Sequence, residues 1–160
     1  MTAPVRSRAQ VLEALQRAQR LQGAHSTVHG ATVAARVGIN AVDLECLDLV
    51  LLHGPLPAGL LAARAGLSAT TTTAVLDRLE RAGFVRRVRG AADRRLVLVE
   101  VESDAVARIA PHYAPLMRHM AVVQKRFTIA ELEVVRRYTE AAAAALAAAV
   151  EELRDAPVPS

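Results

Sequence analysis

The sequence has 160 residues, a length typical of one domain with a sizeable core, and 52% of its residues are hydrophobic although only 2% are aromatic. Its formal charge is +4, and it contains neither an apolar run that could span a bilayer nor a basic-then-apolar leader, so we expect a soluble cytoplasmic protein without a membrane segment. Five scattered histidines, a single cysteine and no glycine-rich phosphate loop offer no catalytic arrangement, which argues against an enzyme, a cofactor and a metal site.

The N-terminal part of the sequence predicts one long helix. Apolar residues recur at helical spacing over residues 8–37, and Gly23 and Gly30 weaken this helix without breaking it. Because so long a helix cannot bury its apolar stripe on a small domain, a second subunit is its natural partner. His25 and His29 have the i, i+4 spacing of metal ligands, but no nearby carboxylate or cysteine accompanies them. We therefore interpret them as surface or pocket histidines.

A second helix follows the break at residues 38–41. Asn40 can cap it, and it runs to His53 with apolar residues nearly all round, as expected of a central core helix. Cys46 lies on this helix and cannot form an internal disulfide, so we predict a buried, unreactive thiol. Residues 54–57 read as a stiff connector, and a proline at the start of the next helix costs no hydrogen bond.

Residues 58–82 predict two helices joined by a tight turn. The first is short and apolar and ends near Gly66, and Ser68 can cap the second, which ends before Gly83. The spacing of the second helix predicts one buried stripe made of Thr72, Val75, Leu76 and Leu79. The opposite, outward side carries Thr70, Ala74, Asp77 and Arg81, flanked by Thr73 and Arg78. Two helices with this turn are typical of a helix-turn-helix, which presents its second helix to a DNA groove.

Residues 84–101 predict a β-hairpin. Residues 84–89 and 96–101 alternate or carry β-branched side chains, and residues 90–93 form a turn cluster. Five arginines crowd its tip, namely Arg86, Arg87, Arg89, Arg94 and Arg95. Such charges repel one another unless a polyanion such as DNA supplies counter-charge, although a solvated charged hairpin is the alternative. Beside the capped polar helix, this hairpin completes a winged helix-turn-helix and favours DNA binding.

The segment after the hairpin begins a helix at Ser103 or Asp104. Pro111 and Pro115 each remove a backbone donor and disfavour helix in the preceding residue. We therefore expect the stretch over residues 106–125 to be kinked or broken near residues 112–113. Such a kink could open a pocket, but prolines also occur merely to fit two helices around a core.

The last predicted helix has a clear start. Thr128 and Glu131 form a capping box, and apolar or small residues then follow at steps of three and four. This seam is made of Leu132, Val135, Thr139, Ala142, Leu146, Ala149 and Leu153. A narrow seam of this kind packs helix on helix, so we expect it to dimerise. The alternative is that the alanine-rich stretch is simply a strong surface helix.

Three motifs stand out in combination: LLAARAGLS at Leu60–Ser68, VLDRLERAGFV at Val75–Val85 and DRR at Asp93–Arg95. Together they resemble the DNA-binding core of the MarR family of bacterial transcription regulators, and the helical layout fits that family over residues 8–153. The resemblance implies a fold that is mainly α with a small β-hairpin wing, that is, a winged helix-turn-helix flanked by N- and C-terminal dimerisation helices. It also implies a homodimer with recognition helices in successive major grooves and wings in the minor groove.

The same resemblance assigns roles to individual residues. Arg95 would enter the minor groove with Asp93 orienting it, and narrow minor grooves attract arginine for physical reasons. Short side chains near the start of the recognition helix can approach base edges, and arginines further along it suit phosphate. The candidate DNA-binding residues are Ser68, Thr70, Thr71, Thr73, Asp77, Arg78, Arg81, Arg87, Arg89, Asp93, Arg94 and Arg95.

In that family, small aromatic or phenolic effectors bind where the helix after the wing meets the first two helices and the DNA-binding lobe. The candidate effector-binding residues are therefore His25, His29, His112, Tyr113 and His119. An effector can act only by preferring the spacing of the two lobes that is incompetent for DNA.

We expect a single domain over residues 1–160. Its DNA-binding lobe would span residues 40–102, and its dimerisation lobe residues 8–37 and 103–153. The favoured function is a sequence-specific DNA-binding transcription regulator, a dimeric repressor that binds a pseudo-palindromic operator in double-stranded DNA and is released by an effector. The alternative is a constitutive or architectural DNA-binding protein without an effector.

Overall fold

The computed structural model describes residues 7–90 and 96–156, which form six helices and three short strands. In chain order these are α1 (Arg8–Val37), α2 (Ala41–His53), β1 (Leu56–Pro57), α3 (Ala58–Ala65), α4 (Ala69–Arg81), β2 (Val85–Arg89), β3 (Val97–Val101), α5 (Ala105–Gln124) and α6 (Ile129–Asp155). The antiparallel sheet has the order β1–β3–β2. The predicted fold class, a mainly α winged helix-turn-helix with a small hairpin, is therefore confirmed.

Local hydrogen bonds explain where the helices begin and end. Asn40 Oδ1 accepts the backbone N–H three residues further on at 2.9 Å, and Thr128 and Glu131 form a reciprocal capping box at the start of α6. Gly38 and Gly66 follow α1 and α3 with φ of 77° and 74°, a left-handed conformation that favours glycine. Because these signals are local in sequence, the predicted helix boundaries agree closely with the observed ones.

The hydrophobic core lies between the end of α1 and the start of α5. It includes buried side chains from α2, α3, α4 and the sheet, with Phe84 at the junction of α4 and β2. The buried residues of α4 are the four predicted from its spacing, namely Thr72, Val75, Leu76 and Leu79. This burial fixes the orientation of α4, so its remaining polar side faces solvent.

The helix α2 is the central core helix, as predicted, but it is not buried all round. Leu44 and Leu47 are buried, whereas Leu52 near its end is 77% exposed. Cys46 has no exposed surface, and burial raises the pKa of its thiol to about 11, with Asp43 adding to the effect. The predicted burial of the thiol is therefore confirmed. Its predicted lack of reactivity stays a prediction, which the raised pKa favours because such a thiol stays protonated at neutral pH.

The connector at residues 54–57 contains a strand that the sequence analysis missed. Leu56 pairs with Val99 and Pro57 with Leu98, so β1 lies at an edge of the sheet beside β3. An edge position tolerates a proline because its missing N–H faces away from the ladder. A strand of two residues is too short to show an alternating pattern, which explains why the prediction was wrong here.

The sequence predicts a kinked or broken helix after the wing, and the break is wrong, because α5 continues through Pro111 and Pro115. A kink there stays a prediction. Both prolines and Ala107 are exposed, so the carbonyls that lose their helical donors lie on the solvent side and can bind water. Meanwhile Ala105 and Ile109 are buried against the core and hold the opposite side in place. Tertiary packing therefore overrides the local preference against helix.

Outside the core, the long helices expose apolar side chains. The helix α1 runs without a break, as predicted, but its buried residues are only Val33 and Ala34. On α6, Leu146 and Leu153 are 71% and 76% exposed. No helix in the described ranges combines the length and the hydropathy needed to cross a bilayer.

Candidate nucleic-acid interface

The start of α4 presents a cluster of hydroxyl groups to solvent. Ser68 Oγ accepts the backbone N–H of Thr71 at 3.1 Å and lies 2.8 Å from Thr71 Oγ1. Thr73 Oγ1 donates to the carbonyl of Ala69 at 3.0 Å, which leaves its lone pairs open. Thr70, Thr71 and Thr73 are all exposed. A helix N-terminus with exposed hydroxyls can hold phosphate oxygens or approach base edges.

Arg78 forms an ion pair that the sequence analysis did not foresee. Its Nε donates to both carboxylate oxygens of Asp43 at 3.2 and 3.0 Å, and its Nη2 donates to Oδ1 at 2.6 Å. Asp43 is buried in α2, whereas the Arg78 side chain is 40% exposed. The hydrogen bond to Asp43 raises the pKa of Arg78. Arg78 thus ties α4 to α2, and its predicted phosphate contact stays a prediction.

Arg87 on β2 joins the wing to α4. Its Nη2 donates to Asp77 Oδ1 at 2.6 Å, its Nη1 donates to Glu80 Oε2, and its backbone N–H donates to Glu80 Oε1 at 3.2 Å. These carboxylates raise the pKa of Arg87, the hydrogen bond to Asp77 most of all. The structure therefore brings together two predicted DNA-binding residues, Asp77 and Arg87, as partners of each other.

Neighbouring carboxylates compensate part of the arginine cluster on the hairpin. Arg86 Nη2 lies 2.9 Å from Glu100 Oε2 on the opposite strand, and Arg87 is paired with α4. The expectation that only a polyanion could supply the counter-charge is therefore wrong for these two side chains. Arg81 and Arg89 are exposed. The predicted contacts of Asp93, Arg94 and Arg95 lie outside the described residues.

Sequence reasoning missed three helix residues that make contacts in this region, namely Asp43, Glu80 and Arg108, whose guanidinium donates to the backbone just after α4, and it also missed Glu100 on β3. Asp43 left a usable signal, because an acidic residue within an apolar core helix must find a partner. Glu80 and Arg108 left none, since exposed charged residues on helices are common.

The predicted effector residues come together only in part. The His29 and Tyr113 rings meet edge to face with centroids 5.2 Å apart. Burial and the nearby Asp48 raise the pKa of Tyr113, and burial raises that of Asp48. His112 is half-buried, and His25 and His119 are exposed. Within the described residues, no ring contact joins His25, His112 or His119 to the pair of His29 and Tyr113. The effector site of five residues therefore stays a prediction.

A groove of about 710 Å³ lies elsewhere, between α6 and the pair of helices α2 and α3. Its lining is mainly apolar and includes Leu49, Ala65, Leu146 and Val150. A smaller cavity of about 520 Å³ lies beside the ion pair of Asp43 and Arg78 and is also lined by Arg81. The larger groove touches both the helix-turn-helix and the last helix, so a molecule bound there would contact both.

Comparisons with known proteins agree with this geometry. The model of the MarR family matches residues 39–97. YcgE, an uncharacterised HTH-type transcriptional regulator of Bacillus subtilis, is 30% identical over 132 residues, which cover 82% of this chain and 86% of that protein. A second regulator of the same organism, YfiV, is 36% identical over 70 residues, or 44% of each chain.

Solved structures show the same fold. A MarR family protein from Bacillus stearothermophilus superposes with a TM-score of 0.66 and 23% identity, covering 88% of this chain and 99% of that one. A mutant of MepR from S. aureus, bound to an oligodeoxyribonucleotide, gives a TM-score of 0.55 and 13% identity, covering 82% of this chain and 97% of that one.

Proposed function

The chain belongs to the MarR family and is a DNA-binding transcription regulator, and we propose that it works as a homodimeric repressor released by a small effector. Residues 40–102 serve as the DNA-binding lobe, and residues 8–37 with 103–153 serve as the dimerisation lobe. The family consists of transcription regulators rather than enzymes, and the proposal assigns no catalytic residue to the chain.

The exposed apolar surface of the flanking helices carries this proposal. Ile129, Leu146 and Leu153 on α6 are 87%, 71% and 76% exposed, and Met117 on α5 and Leu21 on α1 are 64% and 59% exposed. Many large apolar side chains exposed on the same helices favour an interaction surface, because extended apolar patches are rare on monomers. A second copy, related by a two-fold axis, presents the same apolar faces and covers them.

In such a dimer, each α4 enters a major groove, and the two half-sites lie about one helical turn apart. Ser68, Thr70, Thr71 and Thr73 are closest to the bases, since they occupy the exposed start of the helix. Further predicted contacts to phosphate or the minor groove come from Arg81, Arg89, Arg94 and Arg95. A two-fold dimer on these elements binds a pseudo-palindromic operator in double-stranded DNA.

The proposed effector is a small aromatic or phenolic molecule that binds between the two lobes. The groove between α6 and the α2–α3 pair supports this proposal, because a molecule in it touches Val150 of one lobe and Leu49 of the other. The junction of His29 and Tyr113 is a second predicted contact. The effector lowers DNA affinity only if it binds better to the lobe spacing that DNA excludes.

The test is fluorescence anisotropy on a duplex that the protein enriches from a random pool, with a scrambled duplex as control. We expect two subunits per duplex and clear preference for the enriched sequence at physiological salt. Addition of aromatic acids such as salicylate or benzoate should weaken binding. Equal, steeply salt-dependent binding to both duplexes would instead support an architectural protein, and preference without any response to these acids would support a constitutive regulator.

The predicted wing-tip contact can be tested separately. Replacing Arg95 with alanine should weaken binding to most sequences by about tenfold and reduce the salt slope by about 1, since one arginine no longer displaces counterions from DNA. Arg20→Ala on the exposed side of α1 removes the same charge far from the wing and serves as the control. An Arg95→Ala protein with the wild-type affinity and slope would contradict the wing assignment.

The pairing of Arg87 with α4 predicts a second effect on DNA binding. Without Arg87, the carboxylates of Asp77 and Glu80 on the recognition helix lose their counter-charge and repel phosphate. Arg87→Ala should therefore weaken DNA binding by about tenfold at low salt, and adding Asp77→Asn should restore part of the loss.

A matched control for this change is Arg86→Ala. It removes the same charge from the same strand but leaves the Arg87 pairs intact, because Arg86 pairs with Glu100 on β3. If both single variants lose the same affinity and Asp77→Asn restores nothing, Arg87 acts as an ordinary phosphate contact.

A further inference from the structure

Two arginines from outside the helix-turn-helix bond to the ends of its two helices. Arg108 on α5 donates through Nη1 to the carbonyls of Ala82 and Gly83, at 3.0 and 3.2 Å, where α4 ends. Arg154 on α6 donates through Nη1 to the carbonyl of Ala63 at 3.3 Å, in the last turn of α3. Each of the two helices is thus attached at its C-terminal end to a helix of the dimerisation lobe.

Helix C-termini are natural positions for these cations. The last carbonyls of a helix carry partial negative charge and can accept a further donor, so a guanidinium is attracted to them. Arg108 also stacks on the buried ring of Phe84, with its Cζ 4.0 Å from the ring centroid. It therefore contacts the end of α4 and the residue just before β2 at the same time.

Gly66 leaves room for the contact between Arg154 and the end of α3. A Cβ at Gly66 would clash with Arg154 Nη2, so a side chain at this position would displace the guanidinium. Arg154 is also held on its own helix by an ion pair with Glu151 at 2.7 Å. This ion pair restricts the direction in which the Arg154 side chain extends from α6 toward α3.

We propose that Arg108 and Arg154 are positioning residues that fix the orientation of the helix-turn-helix on α5 and α6 and thereby set the spacing between half-sites that the dimer accepts. The shared core already joins the helix-turn-helix to the start of α5, where Arg108 lies, and Arg154 adds a contact from α6 to α3. The two bonds together restrict how the helix-turn-helix tilts on these two helices. This inference rests on the proposed dimer, because only two linked lobes have a spacing.

The proposed role does not require either arginine to touch DNA. Arg154 lies beside Gly66, near the start of α4, whereas Arg108 lies far from the proposed contacts. Arg108 lies at the C-terminal end of α4, and the 13 residues of this helix place its N-terminal hydroxyl cluster about 20 Å away. Exposed pairs of this kind contribute little to stability, so their loss changes which orientations are populated more than it changes folding. We therefore expect variants without these arginines to accept a wider range of half-site spacings, rather than to lose affinity for DNA in general.

The experiment compares two duplexes. The wild-type protein first enriches a two-half-site sequence from a random pool, and the second duplex carries one extra base pair at its centre, which rotates one half-site by roughly 34° relative to the other. For wild type, Arg108→Met, Arg154→Met and the double variant, we measure the affinity for the enriched duplex divided by the affinity for the lengthened duplex. Arg118→Met on α5 and Arg137→Met on α6 are matched controls, since neither side chain has a hydrogen bond within the described ranges.

We expect the double variant to reduce the ratio at least threefold with an unchanged salt slope, and the controls to keep the wild-type ratio. Arg154→Lys should keep more of the wild-type ratio than Arg154→Met, because lysine retains a donor. Arg154→Met alone serves as the test if the double variant does not fold. A ratio within twofold of wild type in a folded variant would overturn the inference, as would an equal loss on both duplexes with a lower salt slope. A wild-type protein that enriches no two-half-site sequence would instead contradict the dimeric operator binding proposed above.

Discussion

Glutamate at both Val135 and Leu146 should convert the protein into a monomer and weaken operator binding by at least about a hundredfold. In the single chain these side chains are 51% and 71% exposed, so charge there costs the folded monomer little. In the proposed dimer the same positions are buried, and an unpaired buried carboxylate is strongly unfavourable. A monomer also loses the effective concentration that links its second half-site to the first.

The measurement is molar mass by light scattering, followed by anisotropy on the enriched duplex. Ala144→Glu adds a charge on the same helix but away from the predicted seam, and should leave both mass and affinity unchanged. A chain that ends at Arg126 should likewise fail to dimerise. A double glutamate variant that remains a dimer would show that the seam at Leu132–Leu153 is not the interface.

The elements that the sequence predicted well are those whose signals are local. In α4, the cap at Ser68, the stop near Gly83 and the spacing of four buried residues all lie within 16 consecutive positions. Periodicity and capping therefore specify this helix, its boundaries and its exposed face without knowledge of the rest of the fold. The same reasoning explains the agreement for α1, α2 and α6.

What the sequence could not predict depends on contacts between distant residues. The ion pair of Arg78 with Asp43 spans 35 positions, and the pair of Arg87 with Asp77 joins a strand to a helix. Both pairs give predicted DNA-binding residues a partner within the protein, while their contacts with DNA stay predictions. The short strand β1 exists only because β3 lies beside it, and α5 stays continuous only because the core holds one of its sides. In each case tertiary contacts supply the stabilisation that local sequence lacks.

The Arg78–Asp43 pair predicts an asymmetric effect on stability. Arg78→Met leaves the Asp43 carboxylate buried and unpaired, with almost no exposed surface, so we expect the melting temperature to fall on the order of 10 °C. Asp43→Asn leaves Arg78, whose side chain is 40% exposed and can rehydrate, so its cost should be clearly smaller. Arg81→Met, on the same helix and exposed, should change the melting temperature little.

The double variant Asp43→Leu/Arg78→Met makes the physical cause testable. If the loss in Arg78→Met comes from an orphaned buried charge, removing that charge should recover most of the melting temperature, because an apolar pair of similar volume can replace a buried ion pair at little cost. If Arg78 instead stabilises the protein through packing of its stem between α4 and α2, methionine retains that packing. Arg78→Met alone should then melt within about 2 °C of wild type. Thermal unfolding followed by circular dichroism at one protein concentration separates the two causes, since only an orphaned charge makes the single variant less stable than the double.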